Sequence, residues 1–166
     1  MCDRSAFGGK QVRCNWQESG AGPLAELSDN LPWQISLRLE TDPQESDVLR
    51  ATRKIVYAAA KTVGATDAVA YEIELAIGEA LSNAWLHAYG GGIGIIELDA
   101  AFDGTFFTFT VHDQGAPVTP LPAIPRELPK KGQGRGLYLI GQLMDEAEVL
   151  KREGKGVALR LRKRVR

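Results

Sequence analysis

The dipeptide Asp103-Gly104 sits between two runs of alternating apolar and polar residues, 93–102 and 105–113. Asp-Gly in that setting favours a tight turn, and such a turn joins two neighbouring strands antiparallel. The pattern recurs at the end of the chain, where runs 146–151 and 157–164 flank Glu153-Gly154-Lys155-Gly156. Two hairpins point to an antiparallel or mixed sheet, so the helices have to find room on a face of that sheet.

The rest of the chain supplies those helices. Gln34-Ile35-Ser36-Leu37-Arg38-Leu39-Glu40 alternates strictly and predicts a first strand. Asp42-Pro43-Gln44-Glu45 predicts a helix start, with Asp42 as N-cap, Pro43 at the first position and Glu45 closing a capping box. Val48, Leu49, Thr52, Ile55, Val56, Ala59 and Val63 keep helical spacing up to Gly64. A longer helix is predicted over 67–89 and stops at Gly90-Gly91-Gly92. After Asp113, prolines at 117, 120, 122, 125 and 129 exclude regular structure, and a short helix is expected over 137–144. The order is β-α-α-β-β-loop-α-β-β. It predicts an α/β (α+β) two-layer sandwich, a mixed and mostly antiparallel sheet with helices on one face.

The length of 166 residues suits one core of ordinary size. Residues 1–32 have no periodicity and are expected to be an N-terminal extension, poorly ordered unless docked, which leaves 33–166 as the folded domain. With 44% apolar and 25% charged residues and a net charge of -1, bulk electrostatics give no attraction to nucleic acid or to an anionic membrane. The basic stretch 160–166 alternates with Leu and Val and reads as a strand with one wet face. Cys2 and Cys14 are too few for a disulfide framework and wrongly spaced for a metal knuckle. No apolar run approaches the roughly 20 residues of a membrane span, and no leader-like segment follows Met1, so a cytoplasmic protein is expected.

Three local patterns carry chemistry. In the long helix, Glu79, Asn83 and His87 fall at i, i+4, i+8 and form one polar stripe beside an apolar face of Ile73, Ala76, Ile77, Ala80, Leu81 and Ala84. Asn is a poor mid-helix residue, and small Ala residues at 80, 84 and 88 would allow close approach. Second, Val111-His112-Asp113-Gln114-Gly115 ends a strand on a carboxylate followed by a glycine, a pairing that suits an exocyclic amine on a flat ring. Third, Gly132-Gln133-Gly134-Arg135-Gly136 opens the last helix and would offer backbone N–H groups and the positive helix end to phosphate. Each pattern alone also has a bland reading as a solvated stripe, an ordinary turn or a glycine-rich loop.

In this order the three resemble the nucleotide-binding boxes of the GHKL ATPase superfamily. Within it, Glu79-Ala-x-x-Asn83-Ala-x-x-His87-Ala-Tyr89, then Gly134-Arg135-Gly136-Leu137 and Leu143-Met144-Asp145, is similar to the bacterial anti-sigma-factor serine/threonine kinases over about residues 34–162. That resemblance implies a Bergerat-type fold binding ATP with Mg²⁺. Asn83 would hold the metal, and Glu79 would be the general base for a substrate serine. Asp113 would read the adenine amine with Gly115 flanking the ring. Gly132, Gly134, Arg135, Gly136, Leu137 and His87 complete the nucleotide-binding set under a lid over 116–131. An arginine on the preceding helix would reach the terminal phosphate: Arg53 by position, Arg50 as the fallback. Implied partners are an anti-anti-sigma-like protein with an acceptor serine, a sigma factor, or both, with homodimer formation left open. One departure is Pro117, where the family often has a glycine, and it bears on the geometry of the lid.

A histidine kinase would need a phospho-accepting histidine on a helical hairpin, but His87 and His112 both fall within the expected pocket motifs. A gyrase-like or chaperone-like ATPase would need a further domain. The rival of another class is a nucleotide-gated module that sequesters a partner without phosphorylating it, and a base at Glu79 argues for the kinase.

Overall fold

A computed structural model of the chain describes residues 33–42, 47–130, 134–151 and 155–165. The extension 1–32, the expected capping positions 43–45, Gly132 and the turn positions 153–154 lie outside the described residues. The elements are β1 (Trp33–Thr41), α1 (Asp47–Thr62), α2 (Asp67–Asn83), β2 (Gly94–Phe102), β3 (Phe106–Asp113), α3 (Arg135–Leu143), β4 (Glu146–Lys151) and β5 (Val157–Arg164). Their order is the one the periodicities predict. The sheet runs β1-β2-β3-β5-β4, and every neighbouring pair is antiparallel, so it is antiparallel rather than mixed. The reason is topological: α3 delivers β4 to the edge, and β5 folds back into the gap beside β3.

Strict alternation in β2 and β3 buries Ile96, Leu98, Ala100 and Phe102 with Phe107, Phe109 and Val111 against the helices. Phe107 and Phe109 stand 4.3 Å apart between ring centres, and Trp33 meets Phe107 edge-on at 5.0 Å. From α2 come Ile73, Ala76, Ile77 and Leu81, all fully buried, and Ala80 at 2% exposure. Full burial of one large apolar side chain contributes about 1.5–3 kcal/mol, so this layer dominates the stability. Helix α1 faces the core through Leu49, Thr52, Val56 and Ala60. Ile55, which the spacing assigned to that face, is instead 48% exposed.

The other sheet face is polar. Arg38 pairs with Glu97, Arg162 with Glu146, and Arg160 with Glu148. His112 belongs to this face, its Nε2 3.2 Å from Asp99 Oδ2, because it alternates with the inward-facing Asp113. It therefore lies outside the pocket in which the sequence pattern put it.

The long helix also departs from expectation near its end. Helix α2 stops at Asn83, and Ala84–Ala88 form a π-helical turn. Gly90 and Gly91 take positive φ there, at 59° and 77°, which lets the chain reverse at once. Trp85 Nε1 donates to Gly92 O at 2.9 Å and holds the reversal. Insertions of this kind widen a helix and turn later residues to a new bearing.

Candidate functional site

Glu79 and Asn83 lie one turn apart on α2 and face the first turn of α3. The contact is close. A Cβ placed on Gly136 would lie 2.8 Å from Glu79 Oε2 and 3.2 Å from both terminal atoms of the Asn83 amide. A side chain at 136 would push the carboxylate and the amide aside, so it is the missing Cβ that lets them meet the start of α3. Among the described residues, Asn83 Nδ2 is buried without a hydrogen-bond partner. A buried amide left unpaired is costly, which marks it as a group awaiting a ligand.

Helix α3 begins at Arg135, two residues before the expected Leu137. Gly134 is its N-cap in the left-handed conformation, φ 87°, and as a glycine it brings no side-chain cap of its own. Such a helix start beside a carboxylate and an amide combines donors, a positive dipole end and possible metal ligands. Arg135 is exposed, and Leu137 packs against the core.

Asp113 closes β3 at 9% exposure. Register pairs it with Ile96 and turns it to the helix side, where a one-residue slip would face it to water. Its Oδ1 accepts from Gly115 N–H at 2.9 Å. Gly115 is pressed on the π-turn: a Cβ there would come within 2.6 Å of Ala88 Cβ. The close approach foreseen for the small alanines is thus made by the protein itself, with Ala80 and Ala84 in the core and Ala88 under Gly115.

Two contributors had no role assigned from the sequence. Tyr89 lays its ring over Gly94, donates its hydroxyl proton to Ile95 O at 2.5 Å and accepts from Gln114 N–H at 2.7 Å. It ties the end of the helical run to the residue after Asp113. Gly156, with φ 79°, abuts the Asp113 carbonyl so tightly that no side chain fits, and its absent Cβ would also sit 2.8 Å from Asp113 Oδ1. An aromatic beside a triple glycine was the available signal for Tyr89. Gly156 gave none beyond its turn.

Of the two arginines on α1, Arg53 turns towards α2 and Arg50 outward, where it lies 3.9 Å from Asp47. Arg53 lies over Gly78, immediately before Glu79, with Nη2 3.9 Å from Glu74 Oε1. His87 is exposed on the π-turn and has left the Glu79–Asn83 stripe. The proline-rich segment crosses α3, where Ile124 seats on Gly141 so closely that a Cβ would lie 2.7 Å from its Cγ2.

A shallow depression of about 410 Å³ lies elsewhere, lined by Asp145, Glu146, Ala147, Glu148, Arg160 and Arg162. Its arginines are already paired with Glu146 and Glu148, and its lining offers a flat apolar ring little support. The converging boxes around Glu79 are the better candidate.

The chain is similar to known proteins over most of its length. Residues 42–163 match the family model described as a histidine kinase-like ATPase domain. An anti-sigma F factor from Thermoanaerobacter sp. is 31% identical over 116 residues, covering 67% of this chain and 81% of that protein. An anti-sigma F factor from Bacillus cereus is 29% identical over 100 residues, 55% of this chain and 67% of that one. Among solved structures, the RsbU and RsbW domains of a Mycobacterium tuberculosis protein superpose with a TM-score of 0.54 at 21% identity, over 78% of this chain and 32% of theirs. The histidine kinase domain of a blue-light activated kinase from Erythrobacter litoralis gives 0.50 at 20% identity, over 72% and 60%. At such identities the two structures establish the fold alone, and this chain spans about a third of the first of them. Family match, relatives and site together lead to one assignment: the chain belongs to the histidine kinase-like ATPase family, among proteins of the anti-sigma-factor kind.

Proposed function

We propose that the chain is an ATP-dependent serine/threonine protein kinase that regulates an anti-anti-sigma-like partner, and that it acts in the cytoplasm. The observation that carries this reading is the meeting of Glu79 and Asn83 with Gly136 at the open start of α3. Phosphoryl transfer needs positioned phosphates, neutralised charge and an oriented nucleophile. The N–H groups at Gly134 to Leu137 would cradle the phosphates beside the exposed Arg135, and Gly132 and His87 are assigned to the nucleotide from their places in the boxes. Asp113, buried beside Gly115, would accept from the adenine amine.

The Asn83 amide can serve a hard cation through its oxygen: both terminal atoms lie at the phosphate end of the site, beside Gly136, and the buried Nδ2, which has no partner among the described residues, is a donor suited to a phosphate oxygen. Mg²⁺ takes few protein ligands and completes its shell with phosphate and water, so one amide oxygen from Asn83 is a fitting share. When bound, it would neutralise charge on the phosphates. Glu79 would take the proton from a serine hydroxyl as its oxygen bonds to the terminal phosphorus and the bridge to ADP breaks. Arg53 would meet the terminal phosphate. The names of the relatives support a sigma factor and its antagonist as the partners.

The test is Glu79→Gln with Mg²⁺–ATP and a small anti-anti-sigma-type domain carrying an exposed serine. Nucleotide affinity should be kept, and single-turnover transfer should fall by about 10²–10⁴-fold. Transfer at the wild-type rate would remove Glu79 as the base. ATP binding by the wild type with no transfer to any captured partner would instead favour a nucleotide-gated module that only sequesters.

A further inference from the structure

Glu74 is a buried carboxylate that the proposed chemistry does not use. It is 4% exposed, on α2 one turn before Gly78. Lys54 Nζ reaches its Oε1 at 2.9 Å, and that pair alone would compensate the charge. Arg53 is nevertheless drawn to the same oxygen, at 3.9 Å, too far for a hydrogen bond. Its Nε is buried and has no hydrogen-bond partner among the described residues. The guanidinium is therefore held by packing and charge, without the two-pronged hydrogen bonding that would lock it on a carboxylate.

Packing comes from Gly78. A Cβ there would lie 2.9 Å from Arg53 Nε, 3.0 Å from Cδ and 3.2 Å from Cζ. Glycine in a helix interior is disfavoured relative to alanine, and nothing in the backbone of α2 demands it, since Gly78 does not have a positive φ. What it provides is a notch that admits the arginine to the helix surface next to Glu79.

We propose that Gly78 and Glu74 form a seat that positions Arg53 for the terminal phosphate of ATP. Gly78 opens the notch, and Glu74 holds the guanidinium loosely enough for a phosphate to take it. The inference rests on the role given to Arg53 above. It adds two positioning residues, neither of which touches the nucleotide.

The test compares Mg²⁺–ATP and Mg²⁺–ADP affinities by calorimetry for the full chain, because only ATP has the phosphate that Arg53 would meet. Arg53→Ala should lower the ATP-to-ADP affinity ratio by about ten- to a hundredfold, the loss of a charge-assisted contact. Gly78→Ala and Glu74→Gln should each lower it by about three- to tenfold with ADP affinity kept, since the arginine is misplaced rather than removed. Thermal unfolding reads folding separately: Gly78→Ala should hold or raise the midpoint, and if one variant fails to fold the other decides. A wild-type ratio in Arg53→Ala would overturn the role of Arg53 and the seat together. Loss of the ratio in Arg53→Ala with either folded seat variant at the wild-type value would overturn the seat alone.

Discussion

Asp113 is an acidic side chain at the end of a buried strand face, a placement that lowers stability unless the carboxylate is well bonded. Gly115 N–H supplies one bond, and the turn at Gly156 closes over the same group. Such an arrangement makes sense where the carboxylate has work to do, and reading adenine is the work proposed. Asp113→Ala should weaken ATP by about 1–3 kcal/mol, the cost of leaving a buried amine unpaired. Calorimetry of the wild type should find ATP bound in preference to GTP, and the preference should vanish in the variant; equal affinities in the wild type would cancel the adenine assignment. Asn83→Ala should behave differently from Glu79→Gln. Removing the amide should damage Mg²⁺-dependent binding and transfer together, whereas the glutamine should spare binding.

Between α2 and β2, and between β3 and α3, the elements show where rigidity stops. Among the described residues the proline-rich segment is held on α3 by Ile124 against Gly141 and by Pro125 and Pro129 near Gly134. Without nucleotide, hydrogen exchange should find residues 116–130 less protected than the sheet. Ile124→Ala should speed exchange there further while leaving β2 and β3 unchanged; protection equal to that of the sheet would end the lid reading. The β2–β3 hairpin is built more firmly. Asp103 Oδ1 accepts from Thr105 N–H at 2.9 Å and Phe106 N–H at 2.7 Å. The Phe106 bond, then the Thr105 bond, with a smaller part from Arg162, hold the carboxyl below its ordinary value. A lowered folded value means that this stabilisation is full above about pH 4, the unfolded value, and is lost as pH falls through the folded one. Urea unfolding at several pH values should therefore find the deficit of Asp103→Asn against wild type shrinking below about pH 4. A deficit constant down to acid pH would remove the carboxylate from the turn's stability.

As a whole, the molecule is one helical layer on one antiparallel sheet, with the candidate site at the edge where α2, α3 and the end of β3 meet. Residues 33–166 contain every element of that layer pair. A chain truncated to 33–166 should keep its thermal midpoint and its ATP affinity; loss of either would make residues 1–32 part of the domain. Alternation, helical spacing and the Asp103-Gly104 turn determined the element order and the buried faces, because periodicity and turn chemistry are local. The presence of three nucleotide-type boxes was legible too, since each is a short run of consecutive residues. What lies at long range was not. Sequence could not say that β5 inserts beside β3, that the sheet is wholly antiparallel, or that His112 turns away from Asp113's pocket, because strand order and register are settled by how the faces bury. Neither could it say that Gly136 meets Glu79 and Asn83, that Tyr89 braces Gln114, or that Arg53 rather than Arg50 lies on Gly78. Those contacts join residues far apart in the chain, and only close packing, in which one missing Cβ admits a carboxylate or a guanidinium, decides them.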